Sequence, residues 1–293
     1  MTKLVMLGSG TPDPSRERSG PCVAVVVDDN AYLVDFGSNL CRQANTMAQR
    51  GIKALMPKNL KVGFLTHLHS DHTLGYPDFL LTPWVVGRKE AMTVIGPVGT
   101  QAMTNNLLSA YKHDIDERLH GLMKADPNGI TVNVKEITDS GIVYQDEFVT
   151  VHAISIYHGT LGGAFSYKFV TPDKTIIISG DKSPCDAFAT YAKDCDIMVH
   201  EVYPTKNLAS RPEIWKNYHG SVHTSSEAVG QIAAATNVKK VVLYHPVYLL
   251  GNQTATMKDL NATLKELDAY MIEDVKQNYT GEVYMSQDFD VYE

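Results

Sequence analysis

Short apolar runs recur along the chain, bounded by Gly, Pro, Asn and Asp, and each reads as a buried strand. They are Lys3–Leu7, Val23–Val27, Tyr32–Asp35, Val62–Leu65, Met92–Ile95, Thr131–Ile137, Val149–Ile156, Phe165–Val170, Thr175–Ile178, Ile197–Val199, Val241–Tyr244 and Gly281–Met285. Between some of them lie stretches with helical patterning: Asn39–Arg50, Tyr76–Thr82, Gly99–Tyr111, Cys185–Ala192, Ser225–Ala235 and Met257–Lys276. Thr224 or Ser225 can cap the fifth of these, and good helix formers follow. Strands dominate the first half, and strand–helix alternation is commoner in the second. That mix predicts an α/β chain with two sheets face to face and helices outside, a four-layer αββα sandwich. Two long stretches, 112–129 and 206–222, carry no clear period and are read as lids, binding loops or a dimer contact.

A length of 293 residues with 44% hydrophobic content suits one large domain over 1–293, and no Pro/Gly/Ser linker divides it. No run approaches the ~20 apolar residues of a membrane span. The N-terminus enters a strand pattern directly, without a signal peptide's apolar core, so a cytoplasmic location is expected, with a removed leader as the alternative. Four separated cysteines, with no C-x-x-C pair, read as free thiols. A formal charge of −7 argues against a long nucleic-acid partner.

Thr66-His67-Leu68-His69-Ser70-Asp71-His72 places three imidazoles and a carboxylate where the chain leaves a predicted strand. In extended backbone His67 and His69 point the same way, while Asp71 and His72 come round the turn. Such N/O donors suit Zn²⁺, and two adjacent ions better than one. Further donors lie just past other strand ends: His158, Asp181 after Ser179-Gly180, and His245 before Pro246. Convergence on one sheet edge is the geometry of an open α/β active site, and the carboxylate of Asp181 can bridge two cations. His113, His120 and His152 are read as ordinary histidines.

With these residues in place, the chain resembles the metallo-β-lactamase-fold hydrolases: H-x-H-x-D-H, then a His, an Asp and a final His, in that order over nearly the whole length. The resemblance implies His67, His69 and His158 around a first zinc, and Asp71, His72 and His245 around a second, with Asp181 bridging. Leu7-Gly8-Ser9-Gly10-Thr11-Pro12, Tyr32-Leu33-Val34-Asp35-Phe36-Gly37, His200-Glu201 and His223-Thr224-Ser225 are similar to the ribonuclease Z-like branch. Gly10-Thr11-Pro12 with Ser19-Gly20-Pro21 looks closest to its arylsulfatase-type members. Bacterial tRNA-processing relatives carry a clamping arm between the positions matching His158 and Asp181. Here the 22 residues between them hold a hairpin and nothing more. Lys182 stands where relatives usually have Thr, and is expected to point outwards.

The expected chemistry is hydrolysis of a small anionic ester, a phosphodiester or aryl sulfate, by two Zn²⁺ (Mn²⁺ or Fe²⁺ as substitutes) that activate a water and absorb charge. Asp71 would orient the nucleophile and His223, supported by Glu201, would protonate the leaving group. Trp84, Trp215 and Tyr218 are candidates for an aryl pocket. The alternatives are tRNA 3′-end cleavage, lactone hydrolysis, and a non-hydrolytic mononuclear-iron protein. No membrane partner is expected, and the chain is read as a homodimer.

Overall fold

The apolar runs pair into two seven-stranded sheets. The first, ordered β14-β1-β2-β3-β4-β5-β6, comprises β1 (Thr2–Gly8), β2 (Cys22–Val27), β3 (Asn30–Val34), β4 (Val62–Phe64), β5 (Met92–Pro97), β6 (Val132–Ile137) and β14 (Val291–Tyr292). The second, ordered β13-β12-β11-β10-β9-β8-β7, comprises β7 (Gly141–Gln145), β8 (Thr150–Ile156), β9 (Ala164–Val170), β10 (Thr175–Ile178), β11 (Ile197–Val202), β12 (Lys240–Pro246) and β13 (Glu282–Met285). The helices are α1 (Leu40–Gln49), α2 (Ser70–Thr73), α3 (Tyr76–Val85), α4 (Thr100–Ala110), α5 (Lys112–His120), α6 (Asp186–Ala192), α7 (Thr205–Ala209), α8 (Glu213–Val222), α9 (Ser226–Thr236) and α10 (Met257–Lys276). This computed structural model describes residues 1–15, 17–250 and 257–293.

Inner faces meet in one core, with Val25, Tyr32 and Phe64 of the first sheet against Val151, Tyr167 and Phe169 of the second. Outside, Leu40, Ala44 and Phe79 of α1 and the α3 region cover Val5, Ala24 and Leu33. On the opposite side Phe188, Val229 and Met271 cover Ile177, Met198 and Val241. Helices on both outer faces explain why β1 and β2 read as unbroken apolar runs rather than alternating ones. The four layers match the αββα expectation. Each sheet is antiparallel in one half and parallel in the other: β3 to β6 are parallel neighbours, and so are β10 to β13. No described helix is long and apolar enough to cross a membrane.

Several elements escaped the sequence pattern. The stretch 112–129 contains α5, whose residues are all at least partly exposed and which is held by Lys112–Asp116 and Arg118–Asp114 pairs four residues apart. The stretch 206–222 contains most of α7 and all of α8, of which only Val222 is buried. On α5 only Ile115 and Leu119 are apolar, and on α8 the large apolar side chains face solvent, so neither has a buried stripe to announce it. The third helix runs three residues beyond Thr82, through Pro83. Proline cannot donate to the carbonyl of Phe79 four residues back. Buried Arg88 does so instead, from Nη1 at 3.2 Å, and also reaches the carbonyls of Leu60, Leu80 and Gly129. The strands β7 and β14 were also unforeseen.

Candidate metal centre

All nine expected site residues come together at one edge of the sandwich, just beyond β4, β8 and β10, at the ends of β11 and β12, and at the end of α8. Beyond β4 the chain bends at Thr66 and reaches His69, whose extended backbone (φ −64°, ψ 151°) precedes the single turn of α2 carrying Asp71 and His72. A short loop after β8 supplies His158, the turn after β10 supplies Asp181, and β12 supplies His245. Gly180 adopts φ 59°, and a Cβ there would stand 2.9 Å from Cβ of Thr66, so glycine lets the Asp181 turn close onto the histidine loop. His245 itself has φ 48° and Asp35 has φ 63°. Left-handed backbone at non-glycine residues costs ~1–3 kcal/mol each and is held here by the surrounding sheet ends.

The donor atoms form two triads. In one, His67 Nε2 lies 3.0 Å from His69 Nδ1, which lies 3.2 Å from His158 Nε2. In the other, Asp71 Oδ2 lies 3.2 Å from His245 Nε2 and 3.4 Å from His72 Nε2. Asp181 sits between them, with Oδ2 4.0 Å from His67 Nε2, and Oδ1 3.5 Å from His72 Nε2 and 3.6 Å from His245 Nδ1. A tetrahedral ion with ligands at 2.0–2.1 Å sets those ligands about 3.3 Å apart, close to the spacings within each triad. His72 Nε2, His245 Nδ1 and Asp181 Oδ1 are buried without a hydrogen-bond partner among the described residues. Buried polar atoms are rarely left so. A nitrogen-rich donor set with converging, unpaired atoms fits a pair of divalent cations.

Outer contacts aim the rings. His72 Nδ1 donates to Asp35 Oδ2 at 2.8 Å, and Asp35 Oδ1 also accepts from Thr66 N at 2.8 Å. His158 Nδ1 donates to the carbonyl of Val222 at 2.8 Å, and His67 Nδ1 lies 2.9 Å from Thr66 Oγ1. In each case the outer nitrogen is engaged and Nε2 faces the centre. Asp35 and Thr66 were not foreseen as site residues. The one local signal was a charged residue ending a buried strand.

Burial holds the imidazoles of His67 and His158 neutral, the latter down to about 4. The same burial opposes a charge on His72, but Asp35 and Asp181 outweigh it and raise its pKa. Asp181, for which burial alone would favour the neutral acid, is kept ionised by His245 and His72. His223 Nδ1 lies 3.3 Å from Glu201 Oε2, an ion-pair contact outside hydrogen-bond geometry, and 4.0 Å from Asp181 Oδ2. Burial lowers the His223 pKa, yet the Glu201 carboxylate brings it up to about 9. Glu201 is fully buried at the end of β11, and Thr224 N donates to its Oε1 at 2.8 Å, which leaves Oε2 for His223. The His223 ring also stacks on His245 at 6.1 Å, so the pair overlooks the second triad.

Other expectations fare differently. Lys182 does not point outwards. It is fully buried, with its ammonium 4.5 Å from the ring centre of Phe188, because α6 closes over it and offers a ring face in place of water. Trp84 belongs to the core of the α3 region, where its Nε1 donates to the carbonyl of Asp126 at 2.8 Å, and lines no pocket at the site. Trp215 and Tyr218 are half exposed on α8. His113 and His120 lie on exposed α5 and His152 on β8, away from both triads.

Residues 16–245 match the metallo-beta-lactamase superfamily. A ribonuclease Z from Mycobacterium sp. (strain KMS) is 29% identical over 251 residues, covering 84% of each chain. The crystal structure of the short form of human tRNase Z superposes with a TM-score of 0.69 at 18% identity, covering 99% of this chain and 98% of that one. A diphosphatase of the PhnP family superposes with a TM-score of 0.64 at 17% identity, covering 100% and 98%. At such identities the structural likenesses speak for the fold. The sequence match over residues 16–245 makes the chain a member of the metallo-beta-lactamase superfamily of metal-dependent hydrolases.

Proposed function

We propose that this chain is a two-metal phosphodiesterase that cleaves RNA near its 3′ end. The observation that carries the hydrolytic part is the pair of donor triads sharing Asp181, with His223 and Glu201 beside them. The donor chemistry favours zinc, with Mn²⁺ or Fe²⁺ as substitutes. When bound, the two ions would provide a nucleophile at neutral pH and offset charge on the non-bridging oxygens. The protein's own share is positional. Asp71 orients the attacking water, Asp35 and the Val222 carbonyl hold the ring planes of His72 and His158, and His223 delivers a proton to the departing oxygen. Glu201 keeps that imidazole charged and in place. The RNA substrate is supported by the ribonuclease Z relatives, which do not support the arylsulfatase-type reading.

A second reading, hydrolysis of a small phosphodiester, is favoured by one feature. Between His158 and Asp181 the chain has only a short loop and the β9–β10 hairpin, with no arm to clamp a folded RNA. Metal-loaded protein offered precursor tRNA and bis(p-nitrophenyl) phosphate in parallel decides between the two. Cutting at the tRNA 3′ end supports the first reading, and turnover of the small diester alone moves the assignment to the second. Inertness towards both, with two metals bound, refutes both.

A further inference from the structure

Helix α8 has a composition that packing does not explain. Only Val222 is buried, yet Ile214, Trp215 and Tyr218 present large apolar surfaces to solvent. Residues four apart on a helix share a face, and here that face is a series of rings. Trp215 stacks on His219 with centroids 5.8 Å apart and planes 28° apart, and His219 stacks on His223 at 6.0 Å and 25°. Tyr218 stands edge-on to both, at 6.1 Å from Trp215 and 5.1 Å from His219. The inner end of the series is thus the imidazole next to Glu201, which itself stacks on His245. The outer end is an indole with half its surface in water. His219 Nδ1 is buried without a hydrogen-bond partner among the described residues.

We propose that the outer face of this ring series, Trp215 flanked by Tyr218, is a stacking platform for the nucleobase next to the scissile phosphodiester. The inference rests on the phosphodiesterase reading and names the recognition element of its substrate. Three points favour a nucleobase over other occupants. The ring planes lie roughly parallel, 25° and 28° from one neighbour to the next, which suits a flat partner; Tyr218 closes one side. The series starts at the proton donor, so a ring on its outer end belongs to the nucleotide being cut or its neighbour. A protein partner or a second copy needs about 800 Å² per side, far more than three exposed side chains offer.

The chain has two tryptophans, and Trp84 is buried, so solvent-accessible indole fluorescence reports on Trp215 alone. Titration with uridine 5′-monophosphate should quench it, while ribose 5-phosphate should not, and Trp215→Phe should remove the quenchable signal. This arm needs no turnover, so it stands even where the phosphodiesterase reading fails. A second arm compares the p-nitrophenyl esters of uridine 5′-monophosphate and of ribose 5-phosphate. Base–aromatic stacking is worth roughly fivefold to a hundredfold in affinity. Trp215→Ala should therefore raise KM for the nucleoside ester about tenfold more than for the abasic one, and Trp215→Phe should restore most of the difference. Equal quenching by both phosphates, equal losses on both esters, or a signal that follows protein concentration instead of nucleotide overturns the proposal. Absence of turnover alongside selective quenching by the nucleotide would reject the phosphodiesterase reading and keep the platform.

Discussion

Asp35 offers a direct probe of how the fold prepares the second triad more than the first. Its carboxylate accepts from Thr66 N at 2.8 Å, from Thr66 Oγ1 at 2.9 Å and from His72 Nδ1 at 2.8 Å, all fully buried. In Asp35→Asn one oxygen becomes an NH₂ donor. Turned towards His72, it would donate to Nδ1 and force the ring proton onto Nε2, the atom that faces the second triad. Turned towards Thr66, it would set two donors against each other. Either arrangement leaves a buried group unsatisfied, costing the metal-free protein about 1–3 kcal/mol. Loss of an outer partner of a ligating histidine typically weakens metal binding about 10–100-fold. Competition titration with a chromophoric chelator should therefore show the step for Asp71, His72 and His245 weakened by that factor, and a smaller loss in the step for His67, His69 and His158, which Asp35 reaches only through Thr66. Equal weakening of both steps, or unchanged affinity in a folded variant, would refute the assignment of Asp35 chiefly to the second triad.

Further outcomes follow from the same geometry. Asp181→Ala removes the carboxylate between the triads, so elemental analysis should find both metals depleted and hydrolysis abolished; full metal content would exclude a bridging role. His223→Ala should keep both metals and slow cleavage of alkyl esters about 10²–10⁴-fold more than that of nitrophenyl esters, which need no proton. Metal affinity should depend on pH differently at the two triads. Metal entering the second must displace the proton that Asp35 and Asp181 favour on His72, so its affinity should rise about tenfold per pH unit near neutrality. The first triad, with His67 and His158 already neutral, should stay flat across that range, and parallel slopes would contradict this. Arg88→Ala strips four buried carbonyls of their donor and should cost at least ~3 kcal/mol in urea unfolding.

The two sheets and the candidate metal ligands were legible in the chain because their signals are local. A run such as Val23–Val27 announces a buried strand by itself, and His67, His69, Asp71 and His72 share one loop, so their common direction needs nothing from elsewhere. His158, Asp181 and His245 stood out one at a time, each just past its own strand. That they meet is a property of sheet order, which places β8, β10 and β12 in one sheet and β4 in the sheet facing it across the core. What no local pattern could supply is who partners whom at long range. Asp35 and His72 are 37 residues apart, and His158 and the Val222 carbonyl 64. Lys182 and Arg88 carry charges that a sequence reading places in water. Tertiary packing buries both, since Phe188 gives one a ring face and four carbonyls surround the other. The same packing sinks Trp84 into the core and leaves Trp215 at the rim. Hydrophobic periodicity records only how often a residue faces inward, whereas burial cost and hydrogen-bond satisfaction depend on the atoms that a distant segment brings to that place.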